Sequence, residues 1–224
     1  MVEGLVIEFK NVDICYGYEL VLKNIEFSLA KAETCYIVGK SGSGKSSFLK
    51  TLYGQIKPQD GVAKVANFDL HSIQEKELHK LRRKIGMVFQ EFHLFEDWTV
   101  GTNLWYVLEA TGWRKKEEMT TRIYEVLALV GLQGLEKKMV KTLSGGQMQQ
   151  VAIARALLNH PDIIIADEPT GNLDPETSDE ILYLLNRLSR EQGTTILIAT
   201  HDYRLIQKFP ARIFRCQDSS LIEI

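Results

Sequence analysis

The spacing of apolar positions changes period along this chain, and each change predicts a change of structure. Near the start, residues 5–9 are rich in β-formers, and Ile25-Glu26-Phe27-Ser28-Leu29 alternates apolar and polar, so both read as strands. Cys35-Tyr36-Ile37-Val38 is a short apolar run that stops at Gly39, the signature of a buried strand entering a glycine loop. A helix is expected over residues 46–53, with Gly54 as its stop signal, and Met87-Val88-Phe89 is another short strand. From Glu91 to His160 the pattern becomes helical. Ile123, Val126, Leu127 and Val130 keep helical spacing up to Gly131, and residues 152–159 form a further helix stopped by Pro161. Strand patterning then returns at residues 163–166, 195–199, 212–216 and 221–224. Between the first two of these, Ile181, Leu184, Leu185 and Leu188 share one helix face. Asp174-Pro175 opens that helix, Asp as N-cap and Pro at the first helical position. Strand–helix alternation interrupted by a helical block predicts an α/β core with a helical insertion.

Composition narrows the class. The 224 residues suit one large domain or a core with an inserted subdomain. Hydrophobic residues at 45% and charged residues at 25% exclude a disordered chain. Lys and Arg number 27 against 29 Asp and Glu, a net charge of −2, so no nucleic-acid partner is expected. Cys15, Cys35 and Cys216 form no CxxC pair, and the five histidines lack ligand spacing. Neither a disulfide framework nor a zinc site is expected, and a reducing compartment fits. The opening residues lack a basic segment followed by a long apolar one, so no signal peptide is expected. Apolar runs such as Ile163-Ile164-Ile165-Ala166 fall far short of the roughly 20 residues of a membrane span. Any membrane role is expected to come through a partner.

Three motifs carry chemistry. Gly39-Lys40-Ser41-Gly42-Ser43-Gly44-Lys45-Ser46 fits G-x-x-x-x-G-K-[ST] at every fixed position, between a predicted strand and a predicted helix. Glycines let successive backbone N–H groups face phosphate oxygens, and the helix that follows adds its positive end. Lys45 is placed to reach the β and γ phosphates and Ser46 to ligate Mg²⁺; Ser47 follows in the first helical turn. Second, the strand Ile163–Ala166 ends in Asp167-Glu168. Asp167 can join the Mg²⁺ shell, and Glu168 can act as general base on the attacking water. Third, Leu143-Ser144-Gly145-Gly146-Gln147 opens a helix, a second anion site 144 − 39 = 105 residues beyond the first. Two anion sites at the two ends of a helical insertion suit two chains arranged head to tail, each closing over the other's nucleotide.

With these motifs in view the sequence resembles the ATP-binding subunits of ABC transporters over almost its whole length. The resemblance implies a P-loop NTPase core with an antiparallel β subdomain and an inserted helical subdomain. It places residues 1–90 and 161–224 in the core and β subdomain, and residues 91–160 in the helical one. It implies that Gln90 is the Q-loop glutamine and touches the Mg²⁺, that His201 is the switch histidine, and that Asn172-Leu173-Asp174 is the D-loop. Asp174 also has a structural role as helix cap. The resemblance also implies an aromatic ring stacked on adenine at Tyr16, a role for which nearby Tyr18 competes. ATP and Mg²⁺ are the implied cofactors.

The run Ala166-Asp167-Glu168-Pro169-Thr170-Gly171-Asn172-Leu173-Asp174 is similar to the branch containing FtsE, LolD and MacB, and residues 89–100 are similar to the FtsE pattern. That implies a homodimer on ATP, driving an FtsX-like membrane permease in cell division from the cytoplasmic side of the plasma membrane. A LolD- or MacB-like role, or an ATP-gated scaffold with little turnover, are the alternatives. Gln150 stands where the family usually has arginine, and Asn67 replaces a common glycine in an expected hairpin turn. Residues 89–113 hold seven aromatics, all three tryptophans among them. Trp105 and Tyr106 are expected mostly in the core, whereas Phe92, Leu94 and Phe95 are expected to line a groove for the permease.

Overall fold

The structure, a computed structural model, describes residues 4–224. Its first two strands, β1 (Leu5–Tyr16) and β2 (Glu19–Ala30), pair antiparallel across a two-residue connection. Both are 12 residues long, more than twice the predicted length. The reason is bulging: the register shifts between Phe9 and Val12, where Asn11 takes a φ of 51°, and again on either side of Ile14. Each extra residue breaks the period-two pattern without ending the strand. β4 (Val62–Val65) and β5 (Phe68–Asp69) complete this sheet in the order β2-β1-β4-β5. Ala66 and Asn67, both left-handed at φ 47° and 68°, make the two-residue turn between them, the conformation for which asparagine is suited.

The second sheet has six strands, β3 (Thr34–Val38), β6 (Ile85–Phe89), β7 (Ile163–Asp167), β8 (Thr195–Ala199), β9 (Arg212–Gln217) and β10 (Ser220–Glu223), in the order β10-β9-β3-β8-β7-β6. All neighbours are parallel except β10, which is antiparallel to β9 at the edge. Both faces of β3, β6, β7 and β8 are covered, which is why these four read as short apolar runs, whereas β9 and β10 at the edge alternate or open to solvent. Successive residues of β7 alternate between two cores. Ile164 and Ala166 face α5 (Gly145–Leu157) and α6 (Pro175–Gln192), while Ile163 and Ile165 face α1 (Lys45–Leu52) and the antiparallel sheet.

α2 (Leu78–Arg83) leads into β6, and α3 (Val100–Ala110) and α4 (Lys116–Leu129) pack on each other and on α5. The predicted helical stretch 91–160 is therefore three helices with irregular segments at 91–99 and 131–144. The helix expected at 152–159 begins at Gly145. α7 (Tyr203–Lys208), like α2, was not legible: each is only 6 residues long. The register pairs Phe89 with Asp167, Asp167 with Ala199, and Ala199 with Ile37. The carboxyl ends of β3, β8, β7 and β6 thus stand in a row, where parallel α/β sheets bind ligands.

Candidate nucleotide site

Val38 hands the chain from β3 to the glycine loop, and α1 starts at Lys45. Its N-cap, Gly44, is left-handed at φ 104° and supplies no side-chain cap. The first-turn amides of Lys45, Ser46 and Ser47 therefore have no intrahelical partner and form a ready anion site. Two glycines are required by contact. A Cβ on Gly39 would lie 2.4 Å from the Cys216 carbonyl oxygen, and one on Gly44 would lie 3.0 Å from Val21 Cγ1. Lys45 Nζ donates to the carbonyls of Gly39 at 2.6 Å and Lys40 at 3.1 Å, which fixes the ammonium at the loop. Gly39, Lys40, Ser41, Gly42, Gly44, Lys45, Ser46 and Ser47 all line one cleft of about 970 Å³. Ser43 does not. Its hydroxyl is buried against Gly39, and its carbonyl accepts from Cys216 Sγ at 3.0 Å. Of Ser43, then, the side chain and carbonyl are turned into the fold and the backbone amide is the group left to the loop.

Asp167, Glu168, Gln90 and His201 line the same cleft. Burial and the adjacent Glu168 charge raise the pKa of Asp167, against the pull of Lys45 and Lys50. Its carboxylate has no hydrogen bond or ion pair among the described residues. Glu168 is left-handed at φ 48°, a conformation that costs a non-glycine residue about 1–3 kcal/mol and recurs at functional sites. Its amide donates to Ala199 at 2.9 Å and its carbonyl accepts from Gly171 at 3.1 Å, so the backbone is held on both sides. Its side-chain Oε1 accepts from His201 Nδ1 at 2.8 Å. A carboxylate can only accept, so Nδ1 carries the proton and Nε2 remains for a ligand. Sequence reasoning named both residues but not this bond. Gln90 Nε2 donates to Asn172 Oδ1 and Asn172 Nδ2 donates back to the Gln90 carbonyl, both at 3.1 Å. Of the two competing tyrosines, Tyr16 lines the cleft, beside Glu19 and Val21, with the Lys50 ammonium 5.9 Å from its ring centroid. Tyr18 is fully exposed outside it.

The third motif lies elsewhere. Ser144 caps α5: its hydroxyl accepts from the Gln147 amide, and Gln147 Oε1 accepts from the Ser144 amide, both at 3.2 Å. A Cβ on Gly146 would lie 2.6 Å from Thr177 Cγ2, and one on Gly145 3.3 Å from Leu173. The helix start therefore packs tightly on the start of α6. There Asp174 accepts from the amides of Glu176 and Thr177 at 3.1 and 3.0 Å and from the Thr177 hydroxyl at 2.6 Å, which lowers its pKa. None of Ser144, Gly145, Gly146, Gln147 or Asp174 lines the cleft that holds Lys45. One residue of this helix was missed by sequence reasoning. Gln149 is fully buried and donates from Nε2 to the carbonyls of Pro169 at 2.7 Å and Phe89 at 3.3 Å. It ties α5 to the chain just beyond Glu168 and just before Gln90; only its burial sets it apart from other helical glutamines. At position 150 the glutamine donates to the Val130 carbonyl at the end of α4, a neutral contact.

The aromatic segment departs from expectation. Phe92 and Leu94 are half-buried and line a small cleft with Met148 and Asn172, and Arg155 donates to the carbonyls of Phe92 and His93. Phe95 is not part of that cleft. It stacks on Trp98 with centroids 4.2 Å apart and meets the edge of Tyr106 at 5.8 Å. Tyr106 is half exposed rather than core, because the buried face of α3 runs through Val100, Asn103, Leu104 and Leu108. Trp105 is partly buried against the core.

A glycine loop at the carboxyl end of a parallel sheet, with two carboxylates and a histidine across the cleft, defines a P-loop nucleoside triphosphatase. Known proteins place it further. The family pattern described as ABC transporter matches residues 22–171. The chain is 42% identical over 201 residues to the cell division ATP-binding protein FtsE of Streptococcus pneumoniae, covering 90% of this chain and 86% of that protein. It is 40% identical over 217 residues to the protein of the same name from Bacillus subtilis, covering 96% and 94%. A dimeric post-hydrolysis structure of the ATP-binding cassette MJ0796, bound to ADP and Pi, superposes with a TM-score of 0.82 at 37% identity, covering 97% of both chains. The chain belongs to the ABC transporter family, as one of its ATP-binding, ATP-hydrolysing cassettes.

Proposed function

We propose that this cassette is the motor subunit of an FtsEX-type complex, dimerising on ATP to drive an FtsX-like membrane permease in cell division. The observation that carries the catalytic part is the 2.8 Å contact between His201 Nδ1 and Glu168 Oε1, on the wall of the cleft that contains Lys45. The relatives named for cell division, at 40–42% identity, support the setting.

The first-turn amides of α1 and the Lys45 ammonium bind the β and γ phosphates, and Tyr16 stacks on the adenine. Glu168 accepts the proton of the attacking water, oriented by the Nδ1–H of His201. Asp167, Ser46 and Gln90 suit a hard, oxygen-ligated cation. The carboxylate of Asp167 is partly desolvated by burial, and with no donor among the described residues it favours a cation close by. Those three residues would hold Mg²⁺, which when bound neutralises charge on the phosphate oxygens. Ser144, Gly145, Gly146, Gln147 and Asp174 lie outside this cleft, which supports a head-to-tail dimer in which each chain's signature closes over its partner's nucleotide. The dimeric MJ0796 cassette is a precedent.

No described helix is long and apolar enough to cross a membrane. The cassette sits on the cytoplasmic side of the plasma membrane through its permease, which contacts both the cleft of Phe92 and Leu94 and the separate, exposed ring of Phe95 on its stack with Trp98 and Tyr106. The test is ATP hydrolysis by the purified chain with and without the co-expressed FtsX-like permease in detergent. Stimulated turnover and co-purification support the motor. Co-purification without turnover would leave only the ATP-gated scaffold, and co-purification with a lipoprotein-release or efflux permease instead would move the chain to a LolD- or MacB-like role.

A further inference from the structure

We infer that, with Gln90 a Mg²⁺ ligand as in the function proposed, Asn172 is its positioning residue: it engages the glutamine's side-chain nitrogen and so leaves the oxygen as the end that meets a cation. Gln90 follows β6 directly and lines the nucleotide cleft with Asp167 and Glu168. Its side chain is exposed, and a free carboxamide presents its oxygen or its nitrogen equally well. A hard cation takes only the oxygen.

The contacts of Asn172 make that choice. The Gln90 main-chain carbonyl can only accept, so the Asn172 atom 3.1 Å from it is Nδ2. The other end of the asparagine amide is then Oδ1, which also can only accept, so the Gln90 atom 3.1 Å from it is Nε2. Gln90 Oε1 is left with no hydrogen-bond partner among the described residues. Both bonds need a carboxamide at position 172. An aspartate would set a carboxylate oxygen against the Gln90 carbonyl, and an alanine would make neither bond.

The surroundings hold both partners in place. A Cβ on Gly171 would lie 2.8 Å from Gln90 Nε2, 2.9 Å from its Cδ and 3.1 Å from its Cγ. Gly171 is not left-handed, so its lack of a side chain serves the glutamine and not a turn. The segment that carries Asn172 is fixed by its own backbone: Gly171 N donates to the Glu168 carbonyl and Leu173 N to the Thr170 carbonyl, both at 3.1 Å. β6 and β7 are adjacent, with Phe89 opposite Asp167, and the buried Gln149 bonds the same two segments at Phe89 and Pro169. The contact thus joins residues 172 − 90 = 82 positions apart, and the turn that presents the base Glu168 also aims the metal ligand.

The experiment reads Gln90 directly. In the nucleotide-free chain its side-chain amide resonances, assigned by their loss in Gln90→Ala, should move in Asn172→Ala to the positions of a solvated glutamine. The chain with ADP is then titrated with Mn²⁺ in place of Mg²⁺, free Mn²⁺ being counted by electron paramagnetic resonance, at a protein concentration where light scattering gives every variant the same mass. Asn172→Ala should weaken Mn²⁺ binding about three- to tenfold, the worth of one hydrogen bond. Gly171→Ala, whose Cβ displaces the Gln90 amide, should do the same with Asn172 intact. Gln90→Ala should weaken binding at least as much, and Asn172→Ala added to it should cost nothing more. Weakened binding in Gln90→Ala with unchanged binding in Asn172→Ala would leave Gln90 as ligand and overturn the role of Asn172, as would additive losses in the double variant. Unchanged binding in Gln90→Ala would remove the ligand assignment itself, and the positioning role with it.

Discussion

Replacing Glu168 with glutamine separates its geometry from its basicity. The amide oxygen can still accept from His201 Nδ1, so the 2.8 Å contact survives. The left-handed backbone is held by bonds from its amide to Ala199 and to its carbonyl from Gly171, neither of which involves the side chain. Stability and ATP affinity should therefore change little. What is lost is the proton acceptor. General-base assistance supplies about 10²–10⁴ in rate, which at 1.36 kcal/mol per decade is about 2.7–5.4 kcal/mol of barrier. Asp167 is poorly placed to substitute, because its carboxylate belongs to the phosphate end of the cleft near Lys45. The variant should bind ATP by calorimetry, accumulate as an ATP-bound dimer by light scattering, and release phosphate at least a hundredfold more slowly. The contact adds a sharper demand. If Glu168 and His201 act as one unit, Glu168→Gln combined with His201→Ala should be little slower than the slower single variant. Turnover of Glu168→Gln within threefold of the unmutated chain would refute the base assignment, and multiplicative losses in the double variant would refute the coupling.

Three other outcomes follow from particular contacts. Asp167 has a raised pKa, from burial first and the Glu168 charge second, so its ionised form opposes folding above the ordinary Asp range and that penalty is complete only above the folded-state pKa. Asp167→Asn should raise the thermal midpoint of the nucleotide-free chain at neutral pH, with a gain that shrinks as pH falls through the carboxylate range; a gain that grows on acidification would contradict the sign. Gln149→Leu removes the donor shared by Pro169 and Phe89 and should cost about 1–3 kcal/mol in urea unfolding, and an unchanged midpoint would show that the strut carries no load. Phe95→Asp breaks the stack on Trp98 and should abolish co-purification with the permease while leaving ATP binding intact, an outcome that retained co-purification in the folded variant would exclude.

The parts of the fold that were legible are those whose cause is local. The glycine loop announces itself because Gly39 and Gly44 are needed by close contacts and a left-handed cap, and α6 because Asp174 and Pro175 open it and left-handed Gly193 closes it. The long strands β1 and β2 were truncated because bulges erase their alternation, and Tyr106 was assigned to the core because composition does not say which face of α3 is covered. Non-local causes leave no such trace. Gln149 reads like its neighbours Gln147 and Gln150 until α5 is laid against β6.

The deepest non-local cause is strand order. Gly39 and His201 are 201 − 39 = 162 residues apart, yet each follows the end of a strand by one or two residues, as do Glu168 after β7 and Gln90 after β6. The order β3-β8-β7-β6 turns four distant positions into one row. Any register slip by one residue in β7 would turn Ile163 and Ile165 to the other core and carry Glu168 off its bond to Ala199. The apolar alternation that fills the two cores is therefore the same constraint that holds the base beside the histidine. Substitutions in the β7 interior should accordingly lower turnover in proportion to the loss of packing, even where no catalytic residue is touched.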